Sequence, residues 1–313
     1  MTQQLAQRFR LVTRSDFDGL VCAALLKQLD MLEDILFVHP KDMQDGKIEI
    51  GPQDITTNLP YVPSAHLVFD HHDSETLRVE GERDNYVINP DAKSAARVVY
   101  EYFGGKERFP LISDEMMEAV DKADSADFEK QDILDPKGWI FLSFLMDPRT
   151  GLGRFREFRI SNYQLMMTLI DACTQLTIGE ILITPDVAER VDLYREHAVK
   201  AEEQIKRCAT VHGNLVVLDL RDEEIIHPTN RFMVYALFPQ CNISMHVLWG
   251  LKQQNTVFAV GKSIIDRSSR TNVGTLMLEY GGGGHEAAGT CQIANEDAAR
   301  VQQELVGIIT ADG

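Results

Sequence analysis

Phe9-Arg-Leu-Val-Thr-Arg-Ser-Asp16-Phe-Asp18-Gly19 is the stretch that decides the fold. Residues 9–13 form a short apolar run, which reads as a buried strand. The pattern then changes at once, and residues 19–32 carry apolar side chains at helical spacing. A strand that enters a helix through a polar turn is the repeating unit of a parallel α/β sheet. The turn after such a strand lies on the carboxyl edge of the sheet, where ligands bind. Asp16 and Asp18 stand on that turn.

Moving outward, the alternation continues. Residues 35–38, 66–70 (HLVFD) and 86–88 read as further strands, and residues 94–103, 113–123 and 139–146 as helices. Residues 147–153 (DPRTGLG) read as a loop. A long helix starts at Pro185, with Thr184 as its N-cap. Along it, Val187, Val191, Tyr194, Ala198, Ala201, Ile205 and Cys208 form an apolar stripe. The stripe suits a dimer seam or a connector packed on its own chain, and we read it as the connector, with a homodimer left open. His212-Gly213-Asn214 breaks the pattern. Strands at 215–219, 243–249 and 256–260 and a helix after Asn295 then make a second α/β domain. The expected division is residues 1–184, a helical linker at 185–211, and residues 212–313.

The chain has 313 residues, enough for two domains. With 31 Lys and Arg against 48 Asp and Glu, its formal net charge is −17. Such a body repels a long polyanion, which argues against duplex DNA, long RNA or extended polyphosphate as partner. A small anion is compatible if a bound metal or a local cationic pocket reverses the field. Cys22, Cys173, Cys208, Cys241 and Cys291 are scattered, odd in number and without a C-x-x-C pair. They read as reduced thiols of a cytoplasmic protein. No signal-like apolar segment opens the chain, and no run is long enough to span a membrane.

Three clusters carry chemistry. The first is Asp16 and Asp18. The second, Asp70-His71-His72-Asp73, ends a strand and belongs on the same edge; Asp54, in the loop Gly51-Pro52-Gln53-Asp54, and Asp121 and Asp124, near the end of a helix, join it. Carboxylates crowded together repel one another unless a cation sits among them. A mixed Asp and His set suits Mn²⁺, Fe²⁺ or Co²⁺. The third is Gly281-Gly282-Gly283-Gly284-His285, whose backbone N–H groups can cradle an anion, with Lys262, Ser263, Arg267 and Arg270 upstream. It lacks the Lys-Ser/Thr ending of a P-loop. Residues 147–159 are also basic (Arg149, Arg154, Arg156, Arg159), and Phe155, Phe158 and Tyr163 are candidates for stacking a nucleobase.

Taken in order and spacing, D-x-D-G, D-H-H and G-G-G-G-H-x-x-A-A-G resemble the DHH phosphoesterase family with a DHHA1 domain, over nearly the whole chain. The resemblance implies a parallel-sheet DHH domain, a helical linker and a smaller α/β DHHA1 domain, with the active site in the cleft. It implies a phosphohydrolase in which metal-activated water cleaves a small phosphorylated substrate, such as a short single-stranded oligonucleotide, a cyclic or linear dinucleotide, or a nucleoside phosphate. Polyphosphate is the alternative substrate. The expected cofactor is Mn²⁺, or Mg²⁺ or Co²⁺, as one or two ions. The implied metal ligands are Asp16, Asp18, Asp54, His71 and Asp124, with Asp121 as the substitute for Asp124. Asp70 orients the histidines and His72 faces the phosphate. Arg267, Arg270, Gly282, Gly283, Gly284 and His285 hold the substrate.

One position departs from the family. Where a metal-ligating histidine is usual, this chain has Arg14, which cannot ligate. Either Arg14 turns inward and supplies positive charge, holding Asp16 or the substrate phosphate, or it turns outward and His39 takes the place. We read it as inward, with Arg14 assisting catalysis. The expectation is one well-formed metal position from Asp18, Asp54, His71 and Asp124, and a weak or absent second one using Asp16 and Asp54. A catalytically weakened nucleotide sensor is the alternative from outside the enzymes.

Overall fold

The structure, a computed structural model, describes residues 7–72, 81, 83–155 and 157–313. It divides into two compact units. The first holds residues 1–127, 136–148 and 153–191, and the second residues 128–135, 149–152 and 192–313. The division therefore falls inside the long helix Pro185–Cys208. Two short segments upstream belong with the second unit.

The first unit is built on five parallel strands: β1 (Phe9–Arg14), β2 (Leu32–Val38), β3 (Asp54–Thr57), β4 (Leu67–Asp70) and β5 (Tyr86–Ile88). Their order is β2-β1-β3-β4-β5. The chain reverses its direction of sheet growth between β1 and β3, which opens a crevice at their carboxyl ends. β1 is followed by the helix Phe17–Gln28, in which residues 17–26 are all buried. Asp16 caps it, accepting from the Gly19 N–H at 3.0 Å. The cap starts the helix two residues before the apolar periodicity does. Asp30, at φ +57°, ends it early enough for β2 to begin at Leu32.

In the first unit, a strand and a long helix are among the elements that escape the sequence pattern. β3 is only four residues, Asp-Ile-Thr-Thr, all buried, with no alternation to betray it. The helix Asn162–Gln175 is set by a capping box between Ser161 and Gln164.

The second unit holds a six-stranded mixed sheet of β6 (Ala209–His212), β7 (Leu215–Asp219), β8 (Ile243–Trp249), β9 (Thr256–Lys262), β10 (Gly283–His285) and β11 (Ala288–Ile293). The order is β10-β11-β9-β8-β7-β6, with only β7 and β8 parallel. Its core joins Ile243, Met245, Val247 and Phe258 to Met277 of the helix Val273–Glu279 and Leu305 of the helix Ala298–Asp312. On the long helix, Val187, Val191, Tyr194, Ala201 and Ile205 are buried within the chain itself. All five cysteines are free thiols, and four of them are buried. No described helix is long and apolar enough to cross a membrane.

Candidate functional site

β1 delivers Arg14, Asp16 and Asp18 to the carboxyl edge of the first sheet, and β4 delivers Asp70, His71 and His72 to the same edge. Gly19 lets the first helix begin hard against β1: a Cβ there would lie 2.0 Å from the Arg14 carbonyl oxygen. The third contributor is Asp124, in the last turn of the helix Asp114–Ser125. A carboxylate at that end faces the negative pole of the helix dipole, an unfavourable place for it without a cation nearby.

Asp18, His71 and Asp124 converge, each offering a ligand atom within 4.8 Å of the others. Asp18 is fully enclosed. Its two oxygens accept from the Ala96 N–H at 2.8 Å and the Ala95 N–H at 3.1 Å, at the start of the helix Ala95–Tyr102. Burial first, then Asp124 and Asp16, push its pKa well above the usual carboxylate value, against the pull of His71. His71 is set by its own neighbour: Nδ1 lies 3.2 Å from the Ala92 carbonyl oxygen. That carbonyl only accepts, so Nδ1 carries the proton and Nε2 presents a lone pair. Nε2 lies 2.7 Å from Asp124 Oδ2, yet it makes no aligned hydrogen bond.

Two acceptors held that close need a proton or a cation between them. Without a metal it is a proton: burial lowers the His71 pKa, but Asp124, Asp18 and Asp70 outweigh it and push it up to about 9. Burial likewise works against the Asp124 carboxylate, and His71, His72 and Arg14 reverse that, lowering its pKa. This donor set of two carboxylates and an imidazole, converging within ligand distance of one another, fits a divalent metal.

Asp70 is fully buried. It accepts from the His71 N–H at 2.8 Å and from His72 Nδ1 at 2.7 Å, while the Tyr86 hydroxyl lies 3.3 Å from its other oxygen. It thus anchors the His71 backbone and orients the His72 ring. Asp73 lies outside the described residues. Arg14 pairs with the neighbouring carboxylate, its Nε 2.8 Å from Asp16 Oδ2. His39 instead caps the short helix Pro40–Gln44, accepting from the Lys41 N–H at 3.1 Å. Asp16 is engaged twice, by Arg14 and by the helix cap, and stands outside the convergent trio. Asp121 is occupied too, by Ser94 Oγ at 2.7 Å and Arg97 Nη2 at 2.6 Å, which leaves Asp124 as the converging aspartate.

Asp54 is a correction. It begins β3 rather than sitting in a ligand loop, so it lies at the amino edge, the opposite end from Asp18. There it makes a two-pronged pair with Arg10, at 2.7 and 2.9 Å, and accepts from the Gly51 N–H at 2.7 Å. The residue that β3 does bring to the carboxyl edge is Asn58, which sequence reasoning missed. Its signal was faint: a polar residue closing a short buried run before Leu59-Pro60.

In the second unit, the glycines have two kinds of work. A Cβ on Gly282 would lie 2.0 Å from the Thr290 carbonyl oxygen, and one on Gly284 2.3 Å from that of Ala288. Both are demanded by the β10–β11 hairpin itself. Gly283 faces open space, and His285 is exposed, its Nδ1 accepting from the Ala287 N–H at 3.3 Å. Arg267 turns its Nε to the Ile264 carbonyl at 3.2 Å, and the Arg270 guanidinium lies against Gly313. Of the stacking candidates, Phe158 is covered by the buried Arg190, 4.1 Å from the ring centroid, and Tyr163 packs edge-on to Phe37. Arg156 lies outside the described residues.

No protein-family model matches the chain, and no curated protein matches it. Solved structures do. CDC45 from Entamoeba histolytica aligns over 97% of this chain and 95% of its own, with 9% identity and a TM-score of 0.53, a likeness of fold. The pGpG-specific phosphodiesterase PggH from Vibrio cholerae aligns over 98% of this chain and 100% of its own, with 63% identity and a TM-score of 0.89. Identity at that level along both full lengths joins the two proteins in one lineage, and this chain belongs to the DHH/DHHA1 phosphoesterase family.

Proposed function

We propose that the chain is a Mn²⁺-dependent phosphodiesterase that splits a linear dinucleotide of the pGpG kind into two nucleoside 5′-monophosphates. The observation that carries it is the convergence of Asp18, His71 and Asp124, with His71 Nε2 turned to Asp124. The relative's specificity supplies the substrate.

Asp18, His71 and Asp124 would hold the cation, which when bound acidifies a water and offsets charge on the phosphate. Every other step belongs to the chain. Ala92 keeps the proton on His71 Nδ1, so Nε2 stays a donor of electrons. Asp70 does the same for His72 Nδ1, which turns the half-exposed ring so that Nε2 addresses the phosphate. There His72 donates a hydrogen bond to a non-bridging oxygen as negative charge builds up. Arg14, steadied by Asp16, adds fixed positive charge at the same edge. Water attacks the bridging phosphorus, its oxygen joins the phosphorus as the P–O3′ bond breaks, and the proton the water gives up ends on the leaving O3′. Arg267, Arg270, His285 and the Gly282–Gly284 backbone are proposed to contact the remainder of the dinucleotide.

A net charge of −17 agrees with a short substrate over a long polyanion. Five free thiols agree with a reducing, cytoplasmic setting. The test is a Mn²⁺-supplemented panel of pGpG, pAp, cyclic dinucleotides and polyphosphate. Turnover of pGpG well ahead of the others is expected. Binding of dinucleotide without turnover of any of them would make the protein a sensor.

A further inference from the structure

Asn58 is 1% exposed, and among the described residues neither its side-chain oxygen nor its side-chain nitrogen has a hydrogen-bond partner. A buried amide left in that state is destabilising, so it calls for a ligand. Its place says which. β3 pairs Thr57 with Thr13 of β1 and with Phe69 of β4, so Asn58 stands next in the row beside Arg14 and Asp70. That row is the carboxyl edge that carries Asp18 and His71. The position is firmly built: Thr57 Oγ1 meets Thr13 Oγ1 at 2.7 Å, and the Asn58 N–H donates to the Phe69 carbonyl at 3.1 Å. The backbone there has φ +54°, a conformation asparagine adopts more readily than most residues.

Charge decides how many cations this edge takes. Asp16 is paired with Arg14, and Asp70 is bonded to His72 and Tyr86. Asp18 and Asp124 are the two carboxylates that face His71. One divalent ion balances them. A second ion would find Arg14 where it needs a ligand and, in Asn58, an oxygen donor without charge.

Building on the metal-dependent reading above, we propose that Asn58 lends its side-chain oxygen to the cation held by Asp18, His71 and Asp124, and that Asn58 and Arg14 together limit the centre to one divalent ion per chain. Asparagine oxygen is an ordinary ligand for a hard divalent cation.

Titration of the full-length, metal-stripped chain with Mn²⁺, followed by calorimetry and by electron paramagnetic resonance, tests this without reference to turnover. The wild type should take up one ion per chain and show the spectrum of an isolated Mn²⁺. Asn58→Gly keeps the backbone conformation and removes the amide; its Mn²⁺ affinity should fall roughly tenfold to a hundredfold. Arg14→His combined with Asn58→Asp should raise uptake to two ions with a magnetically coupled spectrum. Unchanged affinity in Asn58→Gly overturns the role of Asn58. Two ions in the wild type, or one in the double variant, overturn the limit on number. No uptake by the wild type overturns the metal reading itself.

Discussion

His71 Nδ1 sits 3.2 Å from the carbonyl oxygen of Ala92, a residue twenty-one positions further along the chain. That one contact chooses the tautomer and so decides which ring nitrogen meets Asp124. A backbone carbonyl does not titrate, so in the neutral ring the choice of nitrogen does not change with pH. His71→Ala removes the nitrogen and leaves Asp18 and Asp124 facing each other. Loss of Mn²⁺ affinity and a fall in turnover of about a hundredfold or more are expected, with the far-ultraviolet spectrum unchanged. Wild-type turnover in this variant would reject His71 as a ligand.

Asp54 should behave as a structural residue. Asp54→Asn breaks a two-pronged pair with Arg10 that is almost closed to solvent on the aspartate side. A loss of about 1–3 kcal/mol of stability is expected, read from urea unfolding. Mn²⁺ affinity and turnover of the folded protein should stay within about threefold of wild type, because Asp54 lies at the other end of the strand. A large loss of metal affinity would return it to the ligand set.

The glycine run separates packing from binding. Gly284→Ala drives a Cβ to 2.3 Å from the Ala288 carbonyl oxygen and should destabilise the second unit by about 3 kcal/mol. Gly283→Ala meets no atom within 4 Å. It should leave stability within about 0.5 kcal/mol and raise KM for the dinucleotide if the proposed contact is made. Equal losses of stability in the two would contradict the hairpin geometry.

His246, on β8, supplies a pH dependence away from the site. Burial lowers its pKa from 6.5 to about 4. The folded state thus prefers the neutral ring. Its contribution is complete above the unfolded value near 6.5 and is lost as pH falls through the folded value. By pH 5 the loss is up to about 2 kcal/mol. Urea unfolding of wild type and His246→Gln at pH 7 and pH 5 should show a steeper decline for wild type. Parallel declines would exclude the ring as the source.

Much of the site was legible because its residues end strands that announce themselves. Leu-Val-Phe before Asp70 and Phe-Arg-Leu-Val-Thr before Asp16 are apolar runs that stop at charged groups, and both reached the carboxyl edge as read. The error came from β3. With four buried residues and two threonines, it has neither length nor alternation. Asp54 therefore passed for a loop ligand when it begins a strand, and Asn58, four residues on, went unnoticed. A strand carries its two ends to opposite edges, so missing it exchanged one candidate for another. The Ala92 carbonyl and the Ala95 and Ala96 N–H groups escaped for a different reason: backbone groups have no letter in a sequence.

The clasp on Asp18 by Ala95 and Ala96 has a bearing on how the proposed divalent ion would be taken up. The loop after β1 is tied to the helix Ala95–Tyr102, and the loop after β4 to Ala92, by bonds that involve no ion. These bonds hold the Asp18 and His71 sides of the receptacle through the chain's own backbone. On the proposed divalent-ion reading, taking up the ion would leave these two loops where they are, so occupancy would follow the free ion concentration.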